Sequence, residues 1–337
     1  MIIYVTSIMK KNAKNCSTLE KNNSSFAKLG TVLDSDEFKY NFRDYYIKTA
    51  YNSCSAGKYK NDFVNICALR NVIKQGARCL HFEIYSLNND PVISTSTSDD
   101  FFTKETYNYV NFIDVIKTVN NLAFSPSNCP NFNDPLVLYF DIKSNNKKIY
   151  DVMANTLYKE INSRLLDKSY SYENRGNNLG KIPIQELKGK IVIIINGTNK
   201  TYIGTKLDEY INGTTGSIFI RKYNNSSIKN IMDMNELINF NRKNMSIVLP
   251  DKNSKAKNSS ALLAMNYGCQ MVGMIFQNND EPLKNYNKLF EDKNTAFILK
   301  PENLRYIPVT IPIPKPPPKS ISYQDRIIIL PFGTAKI

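Results

Sequence analysis

His81 is the only histidine among 337 residues. Chemistry that needs two imidazoles on one chain is therefore excluded. No apolar run approaches the length that crosses a bilayer. Met1 to Met9 is apolar but short and lacks a basic flank, which makes a poor secretory signal. Cys16, Cys54, Cys67, Cys79, Cys129 and Cys269 are widely spread with no Cys-x-x-Cys. They read as reduced thiols, not as a disulfide frame or a zinc site. No Gly-x-Gly-x-x-Gly follows a strand-like run and there is no P-loop, so the common nucleotide cradles are missing. The expectation is a soluble, intracellular protein, cytoplasmic or at the periphery of a membrane. Sequons such as Asn196-Gly197-Thr198 are then chance products of an Asn-rich chain.

Positive charge and apolar residues are plentiful. Net charge is +14 and the pI is about 9.3. Apolar residues make up 42% and aromatic residues 11%, enough for a large core. The charge favours anionic partners, namely lipid headgroups, acidic proteins or, less favoured, nucleic acid. Lysines that are merely solvated in a Lys- and Asn-rich chain account for it equally well. The composition also fits a protein of an intracellular particle such as a large DNA virus.

Gly76 to Ser86 is the most informative stretch. Strand alternation places Leu80, Phe82 and Ile84 on one face and His81, Glu83 and Tyr85 on the other. Residues 1–45 read as a polar arm with one short helix. Helical spacing runs over Asp62–Gln75, Val110–Phe124 and Lys148–Leu166, with a further short helix over Asn235–Phe240. Strand-like runs are Pro91–Thr95, Pro135–Ile142, Lys190–Ile195, Met245–Leu249 and Gly268–Phe276. Residues 196–230 read as a variable connection with one strand, Ser217–Ile220. This alternation predicts an α/β fold, a (β/α)8 TIM-type barrel rather than an open sheet. Six prolines between Pro308 and Pro318 predict an extended tail over 307–337. It ends in a strand, Asp325–Leu330, that packs on its own barrel or is offered to a partner.

Several motifs, taken together, resemble the X and Y catalytic halves of eukaryotic phosphoinositide-specific phospholipase C. Gly76-Ala77-Arg78-Cys79-Leu80-His81-Phe82-Glu83 is similar to the family's Gly-Cys-Arg-Cys-Ile-Glu-Leu-Asp. Pro135 to Asp141 is similar to Pro-Val-Ile-Leu-Ser-Leu-Glu. Leu187-Lys188-Gly189-Lys190 matches Leu-Lys-Gly-Lys, and Gly268-Cys269-Gln270-Met271-Val272 matches a family pentapeptide. Phe297-Ile298-Leu299-Lys300-Pro301 resembles Tyr-Val-Leu-Lys-Pro, and Leu304-Arg305 matches Leu-Arg. The resemblance implies a phospholipase C-like barrel with an X half over 46–195, the connection over 196–230 and a Y half over 231–306.

The same resemblance implies a degenerate site. The family uses two histidines and a calcium ion to break a phosphodiester. Here the histidine positions fall on Tyr51 and Thr95. Asn52 keeps a calcium-ligand amide, Glu83 and Asp141 keep carboxylates, and His81 stands where the family has a ligand Glu. Asn52, Glu83 and Asp141 leave a Ca²⁺ site open, although His81 is a poor neighbour for a hard cation. A satisfied barrel-interior histidine is the expected role for His81. Headgroup-binding positions fall on Ile194, Asn196, Ile247 and Leu249, none of them cationic. Losing a general acid or base costs roughly 10²–10⁴-fold in rate.

The expected function is a pseudoenzyme, structural or interacting at an anionic membrane or in an assembly, with the 307–337 tail as a docking element. A phosphoric diester hydrolase with an altered metal-assisted mechanism is the first alternative. A basic lipid- or nucleic-acid-binding protein is the second.

Overall fold

Continuous apolar runs become the inner wall of the fold. In the computed structural model, residues 2–22, 25–100, 102–171, 177–252, 256–308, 314–318, 321 and 325–337 are described. The elements of the first half are α1 (Ile2–Asn22), β1 (Tyr45–Ala50), α2 (Ile66–Lys74), β2 (Cys79–Leu87), β3 (Asp90–Ser94), β4 (Val110–Asn111), α3 (Phe112–Leu122), β5 (Leu136–Ile142), α4 (Lys147–Ile161) and β6 (Ile191–Ile195). They continue with β7 (Gly213–Thr214), β8 (Ile220–Asn224), α5 (Asn225–Lys229), α6 (Met234–Lys243), β9 (Met245–Leu249), α7 (Leu262–Asn266), β10 (Met271–Met274), α8 (Glu281–Asp292) and β11 (Phe297–Leu299).

Eight strands pair in parallel in the order β7-β6-β5-β2-β1-β10-β9-β8. The result is a nearly closed TIM-type barrel, with a seam between β7 and β8 where no ladder forms among the described residues. Every residue of β1, β5, β6 and β9 is buried. Such strands carry apolar residues on both faces because one face meets the barrel interior and the other meets helices. The antiparallel hairpin of β2 with β3 extends the wall at Glu83↔Ser94. At the opposite end β11 closes antiparallel on β1.

Local chemistry sets the boundaries. α2 starts where the Asn65 side chain accepts the Cys67 amide at 2.9 Å, an N-cap bond. It stops at Gly76, whose φ of 72° lies in the left-handed region open to glycine. Within the pentapeptide, Gln270 Nε2 donates to the carbonyls of Arg43, Asn241 and Asn244, while its Oε1 accepts the Ser246 amide. That one buried amide ties together four segments at the amino-terminal end of the barrel.

Three expectations need correction. Residues 196–230 are not a connection with one strand; they supply two barrel strands, β7 and β8. Turn-rich composition hid the two-residue β7, and the polar sequence Ile-Arg-Lys-Tyr-Asn hid most of β8. Residues 1–45 are not a polar arm with one short helix. α1 has 21 residues, and Ala27, Leu29, Val32, Phe38 and Phe42 join the main core. Nor are all six cysteines thiols: Cys16 and Cys67 form a disulfide, with Cα atoms 5.8 Å apart. It fastens α1 to α2, reinforced by Lys11–Asp62 at 2.8 Å and by Asn15 donating to Asp62 at 2.8 Å. The cysteines are 51 residues apart, a spacing that no local motif reveals.

Residues 307–337 form a separate unit. In it β12 (Ile327–Leu330) pairs antiparallel with β13 (Gly333–Lys336). The strand expected at its end is present. The expected extended segment falls partly outside the described residues, at 309–313.

Titration of the denatured, unreduced protein is expected to find the four free cysteines, rising to six after reduction. Cys16→Ser is expected to lower stability by about 2–4 kcal/mol, read by denaturant unfolding. Six thiols before reduction would contradict the crosslink.

Candidate functional site at the carboxyl ends of the barrel strands

Parallel strands bring their carboxyl ends to one face, where (β/α)8 barrels place their sites. The register aligns Glu83 with Asp141, His81 with Tyr139, Tyr139 with Ile194, and Lys222 with Ile247. With a side-chain period of two, one inward-facing set follows: Tyr51, His81, Glu83, Tyr139, Asp141, Ile194, Asn196, Lys222, Ile247 and Leu249. The sequence-predicted positions are thus gathered in one place, with Thr95 on the hairpin beside them.

The floor of this mouth is aromatic. The His81 ring lies 4.6 Å from Tyr51 and 5.2 Å from Tyr139, centroid to centroid. His81 Nδ1 accepts the Asn52 backbone N–H at 3.2 Å, which puts the ring proton on Nε2. Burial lowers the His81 pKa to about 3, so the ring is neutral. The ring is fully buried, as expected of a barrel-interior histidine, and among the described residues Nε2 meets no protein hydrogen-bond partner. Ile194, Ile247 and Leu249 are buried beside it and offer no polar atom to an anion.

Above the floor lie two buried carboxylates. Glu83 Oε1 accepts from Asn52 Nδ2 at 2.9 Å and from the Tyr51 hydroxyl at 3.4 Å. Its Oε2 accepts from the Tyr85 hydroxyl at 2.8 Å and the Ser96 amide at 3.3 Å. Asp141 Oδ1 accepts from Asn196 Nδ2 at 2.9 Å. Each carboxylate also has an ammonium: Lys252 Nζ is 2.9 Å from Glu83, and Lys143 Nζ is 3.0 Å from Asp141. Burial raises the Asp141 pKa, but the surrounding lysines, Lys143 foremost, outweigh it and leave it lowered. Burial lowers the Lys252 pKa, but Glu83 foremost overcomes it and leaves it raised. Burial holds the phenols of Tyr51 and Tyr139 well above their usual pKa.

The two ammonium groups also hold the loop after β3. Lys143 Nζ donates to the Asp99 carbonyl at 2.7 Å. Lys252 Nζ donates to the Ser98 carbonyl at 3.2 Å and to Ser96 Oγ at 3.4 Å, with the Asp99 carboxylate 3.6 Å away. Thr95 Oγ1 is committed to the Tyr59 carbonyl at 3.0 Å. A cavity of about 370 Å³, lined by residues such as Tyr170, Leu179, Asn212 and Phe219, sits at the other end of these strands.

As arranged, Asn52, Glu83 and Asp141 do not fit a calcium ion. The Asn52 side chain turns its donor nitrogen toward Glu83, and its Oδ1 has no partner. Both carboxylates spend their charge on lysines. Among the described residues no three His, Cys, Asp or Glu side chains gather as a metal-binding group. Sequence reasoning missed Lys143, Lys252 and Asp99, and gave Tyr85 its face but no role. Lys143 and Tyr85 were within reach, since each lies two residues beyond a predicted site carboxylate on the same strand face.

Comparison with known proteins agrees with the fold. Residues 38–196 match the phosphatidylinositol-specific phospholipase C X domain, and residues 205–303 match its Y domain. Among solved structures the fold is similar to S. officinalis PLC21, with a TM-score of 0.66 at 18% identity. It is equally similar to L. pealei PLC21, at 16% identity. In both cases the match covers 80% of this chain and 38% of the other. No curated protein sequence matches it. Among the described residues no helix is long and apolar enough to cross a membrane.

The neutral His81 has a consequence for pH. Its folded pKa of about 3 lies below the unfolded value of about 6.5. Between them the unfolded chain binds the extra proton, so stability falls as pH falls through that window. Burial raises the Asp134 pKa to about 6, which acts in the opposite sense in wild type and variant alike. Relative to His81→Phe, the wild type is expected to lose about 1.4 kcal/mol per pH unit on acidification below 6.5. Parallel stability curves from denaturant unfolding would contradict the assignment.

Proposed function

The chain belongs to the phosphatidylinositol-specific phospholipase C family, and from that premise we propose that it keeps the family's barrel without its phosphodiesterase chemistry. One observation carries this reading. No side chain placed at the acid and base positions is equipped to exchange a proton near neutral pH. Burial holds the Tyr51 phenol well above its usual pKa and its hydroxyl points at Glu83. The Thr95 hydroxyl is donated to a backbone carbonyl. His81 is neutral and enclosed, with Nδ1 already accepting a backbone N–H. General acid–base catalysis needs a group whose pKa lies near the working pH and that reaches the reacting proton.

The role that remains is interaction, at an anionic membrane or in a protein assembly. The net charge of +14 supports attraction to anionic surfaces. The terminal hairpin supports docking. Ile327, Ile329 and Phe332 are 71%, 83% and 101% exposed, and an isolated two-stranded hairpin is marginal by itself. Bound nucleic acid is the less favoured outcome, and a place in a virus particle rests on composition alone.

The test is hydrolysis of phosphatidylinositol and its bisphosphate by purified protein, with Ca²⁺ or EDTA, beside Asp141→Ala. Turnover no higher than in the variant is the expected result. Metal-dependent turnover abolished by Asp141→Ala would overturn the reading. Binding to vesicles containing anionic lipid is expected to weaken steeply between low and high salt. Salt-insensitive binding lost with residues 307–337 would assign the contact to the hairpin instead.

A further inference from the structure

We propose that Lys143 and Lys252 are built-in counter-ions that take the place of a divalent cation at the barrel mouth and pin the Ser96–Asp99 segment over it. The lysine side chains are each 5% exposed, as is that of Asp141, while that of Glu83 is 0% exposed. Carboxylates buried to this extent need compensating positive charge. A metal-dependent barrel obtains that charge from solution. Here it comes from the chain, one ammonium per carboxylate, so the mouth is assembled as soon as the barrel folds.

The contacts are distributed as a bound cation's would be. Lys252 Nζ reaches the Glu83 and Asp99 carboxylates, the Ser98 carbonyl and Ser96 Oγ. Lys143 Nζ reaches the Asp141 carboxylate and the Asp99 carbonyl. Carboxylates, carbonyls and a hydroxyl are the oxygen donors that a hard cation selects. An ammonium has three donor hydrogens; Lys143 Nζ spends them on one strand-end carboxylate and one loop carbonyl, and Lys252 Nζ on one strand-end carboxylate and three loop oxygens. Lys222, the third inward-facing lysine, adds positive charge that is felt at both Asp141 and His81. Charge in the mouth is therefore balanced without an ion: Glu83, Asp99 and Asp141 against Lys143, Lys222 and Lys252.

The inference rests on this geometry and not on loss of catalysis. Hydrolysis that needs no divalent metal would sink the functional reading and leave this one standing. Tyrosine-sensitised Tb³⁺ luminescence supplies the test, since Tyr51 and Tyr85 both donate to Glu83 and the chain has no tryptophan. Wild type is expected to give no saturable emission up to about 1 mM Tb³⁺, the weak end of natural calcium sites. Ca²⁺ is likewise expected to leave its Tm unchanged. The double variant K143M/K252M leaves the carboxylates without their ammonium groups. It is expected to gain saturable emission, displaced by Ca²⁺, and a Tm that rises with Ca²⁺ concentration. Recovery of that variant in folded form only with Ca²⁺ present supports the proposal equally. The fourfold variant E83Q/D141N/K143M/K252M is expected to fold and stay dark. Saturable emission from wild type overturns the proposal, as does a folded K143M/K252M that stays dark. If the double variant folds under neither condition, K252M is read in its place with the same two outcomes.

Discussion

Two carboxylates buried at one end of a barrel are the constraint on which the rest depends. Glu83 and Asp141 lie side by side in the register of β2 and β5, withdrawn from water. Removing a charge from water costs several kcal/mol unless an opposite charge and hydrogen bonds replace the lost hydration. The mouth meets that demand from within, through Lys143, Lys252, Asn52, Asn196 and two tyrosine hydroxyls. Closure of the Ser96–Asp99 segment follows from the same need, since its carbonyls take the remaining ammonium hydrogens. The carboxylates are thereby engaged by groups of the chain itself.

The frame around it matches the family's X and Y domains. Gln270 and its four backbone partners, the Gly76 turn and the continuous apolar strands hold the barrel irrespective of what sits at the mouth. Fold and chemistry are separable, and this chain retains the interactions that build the fold. At the mouth the His81 ring packs against the rings of Tyr51 and Tyr139, and Ile194, Ile247 and Leu249 are buried on the same inward face. Burying apolar side chains there adds stabilising area.

Much of this was legible from the residues alone. Alternation in Gly76–Ser86 put His81, Glu83 and Tyr85 on one face, and that face does line the barrel. The family resemblance pointed to Tyr51, Thr95, Asn196 and Asp141, which do converge. Other features were hidden for physical reasons. β7 has only two residues and β8 reads Ile-Arg-Lys-Tyr-Asn, so neither shows the apolar run of the strands covered on both sides. Lys252 meets Glu83 only through the fold, and a lysine in a lysine-rich chain carries no sign of being buried. The Cys16–Cys67 bridge depends on α1 lying against α2, which no local pattern specifies. The enclosure of His81 is likewise set by Tyr51 and Asn52 just past the end of β1 and Tyr139 on β5.

The most direct measurement is a double-mutant cycle between Glu83→Gln and Lys252→Met, read by denaturant unfolding. If the pair is the compensating interaction of the mouth, each single variant strands a buried group and the double variant relieves the other's loss. The account predicts a coupling energy of about 2–3 kcal/mol. Additive losses, with coupling under about 0.5 kcal/mol, would show that Glu83 does not depend on Lys252 and would contradict the account.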